Sequence, residues 1–142
     1  MAITQALANS FKQELLVATH NFTASTGDTF KIALYTSSAS LDASTTAYSS
    51  TNEVTGTGYT AGGNTLTSVT PVLSSGTAIC DFADTTWTTA TITARGALIY
   101  NSSKSNKAVL ILDFGSDKTA TAGDFTIVFP TADAANAIIR IS

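Results

Sequence analysis

Charge is what this chain has least of. Asp, Glu, Lys and Arg together make up 12% of its 142 residues, about half the ~25% usual for soluble domains. The seven Lys and Arg residues are scattered from Lys12 to Arg140 against ten acidic ones, for a net charge of −3. Phosphate binding needs clustered cations, so a nucleic-acid partner is not expected. A single cysteine, Cys80, leaves no intrachain disulfide and no thiolate metal cage. It sits in Ala78-Ile79-Cys80-Asp81-Phe82, where a small core residue is the simplest reading. One histidine and two prolines complete the scarce residues. No run approaches the ~20 apolar residues of a membrane span, and no basic, then apolar, leader opens the chain. A membrane partner is not expected.

Hydroxyls and methyls fill the gap. Thr and Ser are about 30% of the chain, far above average usage, and hydrophobic residues are 44%, enough to argue against disorder. A free monomer normally carries charge on its outside. A surface of Thr, Ser, Ala and Gly desolvates cheaply and suits a protein covered by other subunits. The composition therefore favours an assembly component over a catalyst.

The length fits a single domain, 1–142. Residues 1–22 read as an N-terminal amphipathic helix: Ile3, Leu7, Phe11 and Leu15 recur at four-residue spacing, Leu16 and Ala18 widen the stripe, and Thr4 is a candidate N-cap. From residue 28 onward the period becomes two. Thr29–Thr36 reads as a strand, and Leu66–Leu73 as another that Pro71 confines to an edge or a bulge. Short strands follow at Ala78–Ala83, Trp87–Ala94, Ala97–Tyr100, Val109–Phe114, Phe125–Phe129 and Ile138–Ile141. A helical turn fits Ala132–Ala137. Turn signals every 8–15 residues, with no alternating helices, predict a mainly β fold: an antiparallel β-sandwich or jelly-roll-like barrel over 28–142. Ser37–Asn64 reads as a long surface loop, mobile alone and ordered at an interface. Its isolated apolar residues Leu41, Tyr48, Val54 and Tyr59, with Trp87, are candidate interface residues.

Chemistry finds little purchase. A hydrolytic triad would have to use His20 as its base, but His20 lies at the predicted helix end, where a structural role is the simpler reading. Asp113-Phe114-Gly115-Ser116-Asp117 offers loop carboxylates suited to calcium, yet it matches no calcium loop, and turn-forming Asp explains it equally well. Gly56–Gly63 lacks the Lys-Ser/Thr of a phosphate loop and reads as a hairpin tip. Trp87 and Tyr59 could stack on a sugar ring, although core or interface packing is simpler. We therefore expect no catalytic residues, no cofactor and no metal.

Several segments taken together carry a resemblance. They are Phe11-Lys12-Gln13-Glu14-Leu15-Leu16, Asp28 through Thr36, Asn52-Glu53-Val54 with Gly56–Gly63, Ala94 through Tyr100, and Asp124 through Pro130. In these the chain resembles small structural virion proteins of tailed bacteriophages, over nearly its full length. The resemblance implies a capsid cement or decoration protein that stabilises the head by bridging capsomers, with a tail, baseplate or fibre subunit as the alternative; a receptor- or glycan-binding β module is a further reading. It implies no catalytic residues. The implied partners are the major capsid protein or other virion subunits and further copies of the chain, most simply a homotrimer. The implied location is the phage particle, after synthesis in the host cytoplasm.

Overall fold

The computed structural model describes residues 2–142. In chain order its elements are β1 (Ala6–Leu7), α1 (Asn9–Leu16), β2 (Phe30–Tyr35), β3 (Asn64–Thr65), β4 (Ser68–Ser74), β5 (Thr77–Phe82), β6 (Thr85–Asn101), β7 (Lys107–Ile127) and β8 (Ile139–Ile141). The strands form two antiparallel sheets, a five-stranded one in the order β1-β7-β6-β2-β3 and a three-stranded one in the order β4-β5-β8. The fold is mainly β with one short helix near the N-terminus, as the periodicity predicts.

The helix is shorter than its apolar stripe. Ala6 and Leu7 are paired with Ile111 and Leu110 of β7, and Ile3 forms a parallel bridge with Leu41. Backbone bonds from Thr4 N to Leu41 O (2.9 Å) and from Leu41 N to Ala2 O (3.1 Å) fix that segment as extended. The four-residue spacing of Ile3 and Leu7 thus serves strand pairing, and only residues 9–16 are helical. Thr4 is not the cap; Ala8 holds that position without a side-chain bond. Ala18, at φ 59°, turns the chain out of the helix, and Thr19 N closes it by donating to Glu14 O at 2.9 Å. Leu16, counted in the stripe from sequence, is 88% exposed.

The dominant element is one long hairpin. The segments read separately as Trp87–Ala94 and Ala97–Tyr100 are one strand, β6, and those read as Val109–Phe114 and Phe125–Phe129 lie largely on one strand, β7. The turn signals between them, Arg95-Gly96 and Gly115–Gly123, fall at the register shifts Ala94/Gly96 and Ala90/Ile92, and two further shifts lie at Trp87/Ala90 and Ile99/Tyr100. A bulge takes up an extra residue without ending a strand. Gly96 is there for proximity rather than for a turn: a Cβ would stand 2.5 Å from Leu112 O and 2.9 Å from Ile3 Cδ1. Pro71 behaves as its ring requires, on β4 at the edge of its sheet, within the register shift between Val69 and Val72.

Five phenylalanines join the layers. Phe22 stacks on Phe30 at 4.2 Å, Phe11 meets Phe22 edge-on at 5.9 Å, and Phe82 packs on Phe30 at 5.9 Å and on Phe129 at 5.7 Å. They tie the helix, β2, β5 and the segment after β7 into one core. In the half of the hairpin nearest its turn, Gly96 through Asn101 are all buried, as expected of a strand covered on both faces. In the other half only alternate residues of β6 turn inward, and the outer row is threonine. Thr86 and Thr126, and Thr93 and Thr119, pair hydroxyl to hydroxyl at 2.9 Å.

Candidate functional site

The chain has two glutamates, Glu14 and Glu53, and both are buried. Each organises a polar cluster.

Glu53 stands on the long segment 37–64, held by its bridge to Tyr35. Its Oε1 accepts from Tyr59 Oη and from Gly62 N, both at 2.7 Å, and its Oε2 accepts from Tyr48 Oη at 2.7 Å. Tyr59 Oη in turn accepts from Leu34 N at 2.9 Å. Tyr100 Oη donates to Gly62 O at 2.7 Å and stacks on Tyr48 at 4.7 Å. Tyr35 Oη donates to Ser49 O at 2.6 Å. All four tyrosines of the chain surround this one carboxylate. Burial, reinforced by the negative charge of Glu53, pushes each phenol above its ordinary range, Tyr100 to about 12 and the other three higher. Gly63, at φ 75°, fits only because it lacks a Cβ, which would collide with Ile32 O.

Glu14 projects from α1 into the second cluster. Its Oε2 meets Lys107 Nζ at 2.8 Å and its Oε1 meets His20 Nε2 at 3.2 Å. Desolvation raises its pKa, but the hydrogen bonds from Lys107 and His20 and the charge of Lys107 together outweigh that and hold it below the usual carboxylate range. Asn101 Nδ2 lies 3.0 Å from His20 Nδ1 and donates to Asp28 Oδ2 at 2.8 Å, while its Oδ1 accepts from Ser103 N at 3.0 Å. An amide nitrogen only donates, so Nδ1 must accept and Nε2 must carry the proton toward Glu14. Both ring nitrogens are engaged, and the ring lies among Phe11, Phe22 and Phe30. No Ser, Thr or Cys hydroxyl or thiol is bonded to the ring among the described residues, so the arrangement offers no activated nucleophile. It fastens the helix and the 20–28 segment to the turn end of the long hairpin.

The remaining candidates are accounted for in the same way. Asp113 and Asp117 flank Arg95, at 3.9 and 3.4 Å, and Asp113 Oδ1 also accepts from Gly115 N at 2.9 Å. These carboxylates are spent on an arginine and a turn. No group of three or more His, Cys, Asp or Glu side chains placed to hold a metal ion occurs among the described residues. Cys80 is half-buried, and burial lifts its thiol to about 11.

The five residues expected at an interface are turned inward. Leu41, Val54 and Trp87 are buried, and Tyr48 and Tyr59 are half-buried against the core. Trp87 stacks on Tyr59 at 5.9 Å and meets Phe125 edge-on at 6.1 Å. The partner that the isolated apolar side chains of 37–64 required is their own domain. The loop is also pinned by its backbone, with Val54 N donating to Leu34 O at 2.9 Å and Tyr48 N to Asn106 O at 2.9 Å. Sequence reasoning missed both glutamate clusters, whose partners lie as far apart in the chain as Glu14 and Lys107. The scarcity of glutamate was the one available signal.

The outside carries the other notable feature. Among the described residues the large apolar side chains left exposed are Leu16, Val17, Val69, Val72, Leu73, Val128 and Ile141. Four of these belong to the three-stranded sheet. In comparison with known proteins, no family model, no curated protein and no solved structure matches this chain.

Proposed function

We propose that the chain is a non-enzymatic structural protein of a tailed-phage virion, a capsid cement or decoration protein that acts as a homo-oligomer, most simply a trimer, and stabilises the head by bridging capsomers. One observation carries this reading: an exterior poor in charge, with its exposed apolar residues concentrated on the three-stranded sheet and at the end of α1. Scattered exposed leucines need no explanation, but clustered ones mark contact surfaces. A ring seated over a local symmetry axis adds contact across capsomer boundaries. Binding to the closed shell and not to loose subunits stabilises the shell by mass action. The buried hydrogen-bond hubs at Glu14 and Glu53 suit a rigid, stationary part. Trp87 and Tyr59 are turned inward, which favours this reading over a glycan-binding one.

The test is addition of the purified chain to empty phage heads from which it is absent. Saturable binding in copy numbers matching capsid symmetry, with a raised rupture temperature of the heads, is the expected result. Recovery of the chain only with isolated tails would replace this reading with the tail, baseplate or fibre one. Binding to neither would overturn both.

A further inference from the structure

The three-stranded sheet does not close against the helix. Between the C-terminal end of α1 and the sheet runs a groove of about 490 Å3, with Leu15, Ala18 and Phe22 on one wall and Ala78, Ile139 and Ile141 on the other. None of its lining residues is Asp, Glu, Lys or Arg. Strand register sets Leu73, Ala78 and Ile141 in one row across the sheet, so Leu73, 76% exposed, extends this apolar wall outward. Leu16 and Val17 stand between two lining residues, Leu15 and Ala18. They are 88% and 61% exposed, and Leu16 is the most exposed large apolar side chain among the described residues. The left-handed turn at Ala18 and the Thr19–Glu14 backbone bond hold them out as a fixed knob.

We infer that this groove receives the Leu16–Val17 knob of a second copy of the chain; the inference rests on the homo-oligomer reading above and names its contact surface. The area fits. Leu16, Val17, Leu73 and Ile141 alone expose about 250 Å2 of apolar surface at the usual area per side chain. The half-buried groove walls add to this. In one such contact these four side chains come from the two copies together, and a standard interface buries ~1,600 Å2 over both partners, somewhat over half of it apolar. Knob and groove therefore supply the apolar centre of such an interface, and the uncharged Thr and Ser surface around them the rest. An uncharged groove gives no counter-charge to an acidic or basic peptide, whereas another copy of this chain brings an uncharged knob at no cost in desolvated charge. A knob and a groove at different positions make a head-to-tail contact, the kind that closes into rings. Cys80, the only thiol, lines the groove and reports on its occupation.

The test is sedimentation equilibrium over a wide concentration range on the native chain, Leu16→Asp, Leu73→Asp and Val128→Asp. The first two positions are exposed, so the folded monomer should survive both changes, and circular dichroism verifies that. Val128 is 71% exposed but lines a different concavity, and serves as control. The native chain should form a discrete oligomer. Leu16→Asp and Leu73→Asp should weaken it by about tenfold or more, and Val128→Asp should leave it unchanged. Thiol labelling of Cys80 should slow as the native chain is concentrated and stay constant in Leu16→Asp. A native chain that is monomeric throughout, an oligomer indifferent to Leu16→Asp, or capture of the patch by neutral phosphatidylcholine vesicles in place of self-association would overturn the inference. Head binding without self-association would sink this inference alone, and self-association without binding to any virion part would sink the virion reading alone.

Discussion

The two sheets are made from similar residues and end in different states. In the five-stranded sheet, β2 is buried at every position but Lys31, and β6 is buried continuously from Gly96 to Asn101. In the three-stranded sheet, β4 is exposed from Val69 through Leu73, although Val-Thr-Pro-Val-Leu is as apolar as much of the interior. Pattern does not distinguish them; coverage does. The larger sheet is closed by the N-terminal segment and by the 37–64 loop, each held through a buried glutamate. The smaller sheet has an open groove where a cover would be. A poorly charged chain can thus be sealed in one region and ready for a partner in another.

Truncations should separate the two regions most widely. Leu98→Ala, at a fully buried position, should cost ~2–5 kcal/mol by cavity formation, whereas Leu73→Ala should fall within ~0.5 kcal/mol in the dilute monomer. Chemical denaturation of both variants measures this contrast, and a comparable loss in both would erase the distinction between closed and open sheets. Glu53→Ala comes next. It leaves Tyr48 Oη, Tyr59 Oη and Gly62 N without their acceptor, at a cost of about 3 kcal/mol. It should also speed amide exchange over 48–63. Unchanged exchange there would mean that the loop is held by its apolar side chains alone.

The alternation of Phe30, Ile32 and Leu34 announces β2, and the proline in β4 announces an edge or a bulge, because both are local consequences of side-chain direction and ring geometry. The extent of α1 is not local. Ile3 and Leu7 carry helical spacing, but Leu41 and β7 supply backbone partners that a helix would forgo. The continuity of β6 and β7 is hidden for a related reason, since glycines and polar runs that elsewhere end strands are here absorbed by bulges in a hairpin whose two strands support each other. The clusters around Glu14 and Glu53 depend on contacts such as His20–Asn101, which exist only after folding. No spacing rule reaches them. The five apolar residues expected at an interface illustrate the limit: sequence shows that Leu41, Tyr48, Val54, Tyr59 and Trp87 need a surface to pack on, but not whose surface it is.

Titration sharpens the comparison at both hubs. Each tyrosine has its folded pKa raised, so its contribution to stability is complete below the ordinary phenol pKa of ~10 and is lost as pH rises above that. Tyrosinate absorbance of the native chain should stay low beyond that pH and then rise together with unfolding. A normal phenol titration with the fold intact would contradict the Glu53 geometry. Glu14 has its pKa depressed, so its contribution is present above the ordinary carboxylate pKa of ~4.3 and is lost as pH falls below it. Glu14→Gln should flatten the acid limb of the stability profile. The smallest effect belongs to the surface: Arg95 is 38% exposed beside Asp113 and Asp117, and Arg95→Ala should cost no more than ~1 kcal/mol, less so at high salt.

The most direct measurement is hydrogen exchange, resolved by residue, on the chain at low and high concentration. If the larger sheet and its loop are complete within one copy and only the smaller sheet awaits a cover, the amides of Tyr48, Val54 and Gly62 should be protected equally at both concentrations. Those of β4 and residues 15–18 should gain protection only when the chain is concentrated. A 37–64 loop that exchanges freely in the dilute chain and becomes protected on association would contradict the account, and so would a β4 region equally protected in both.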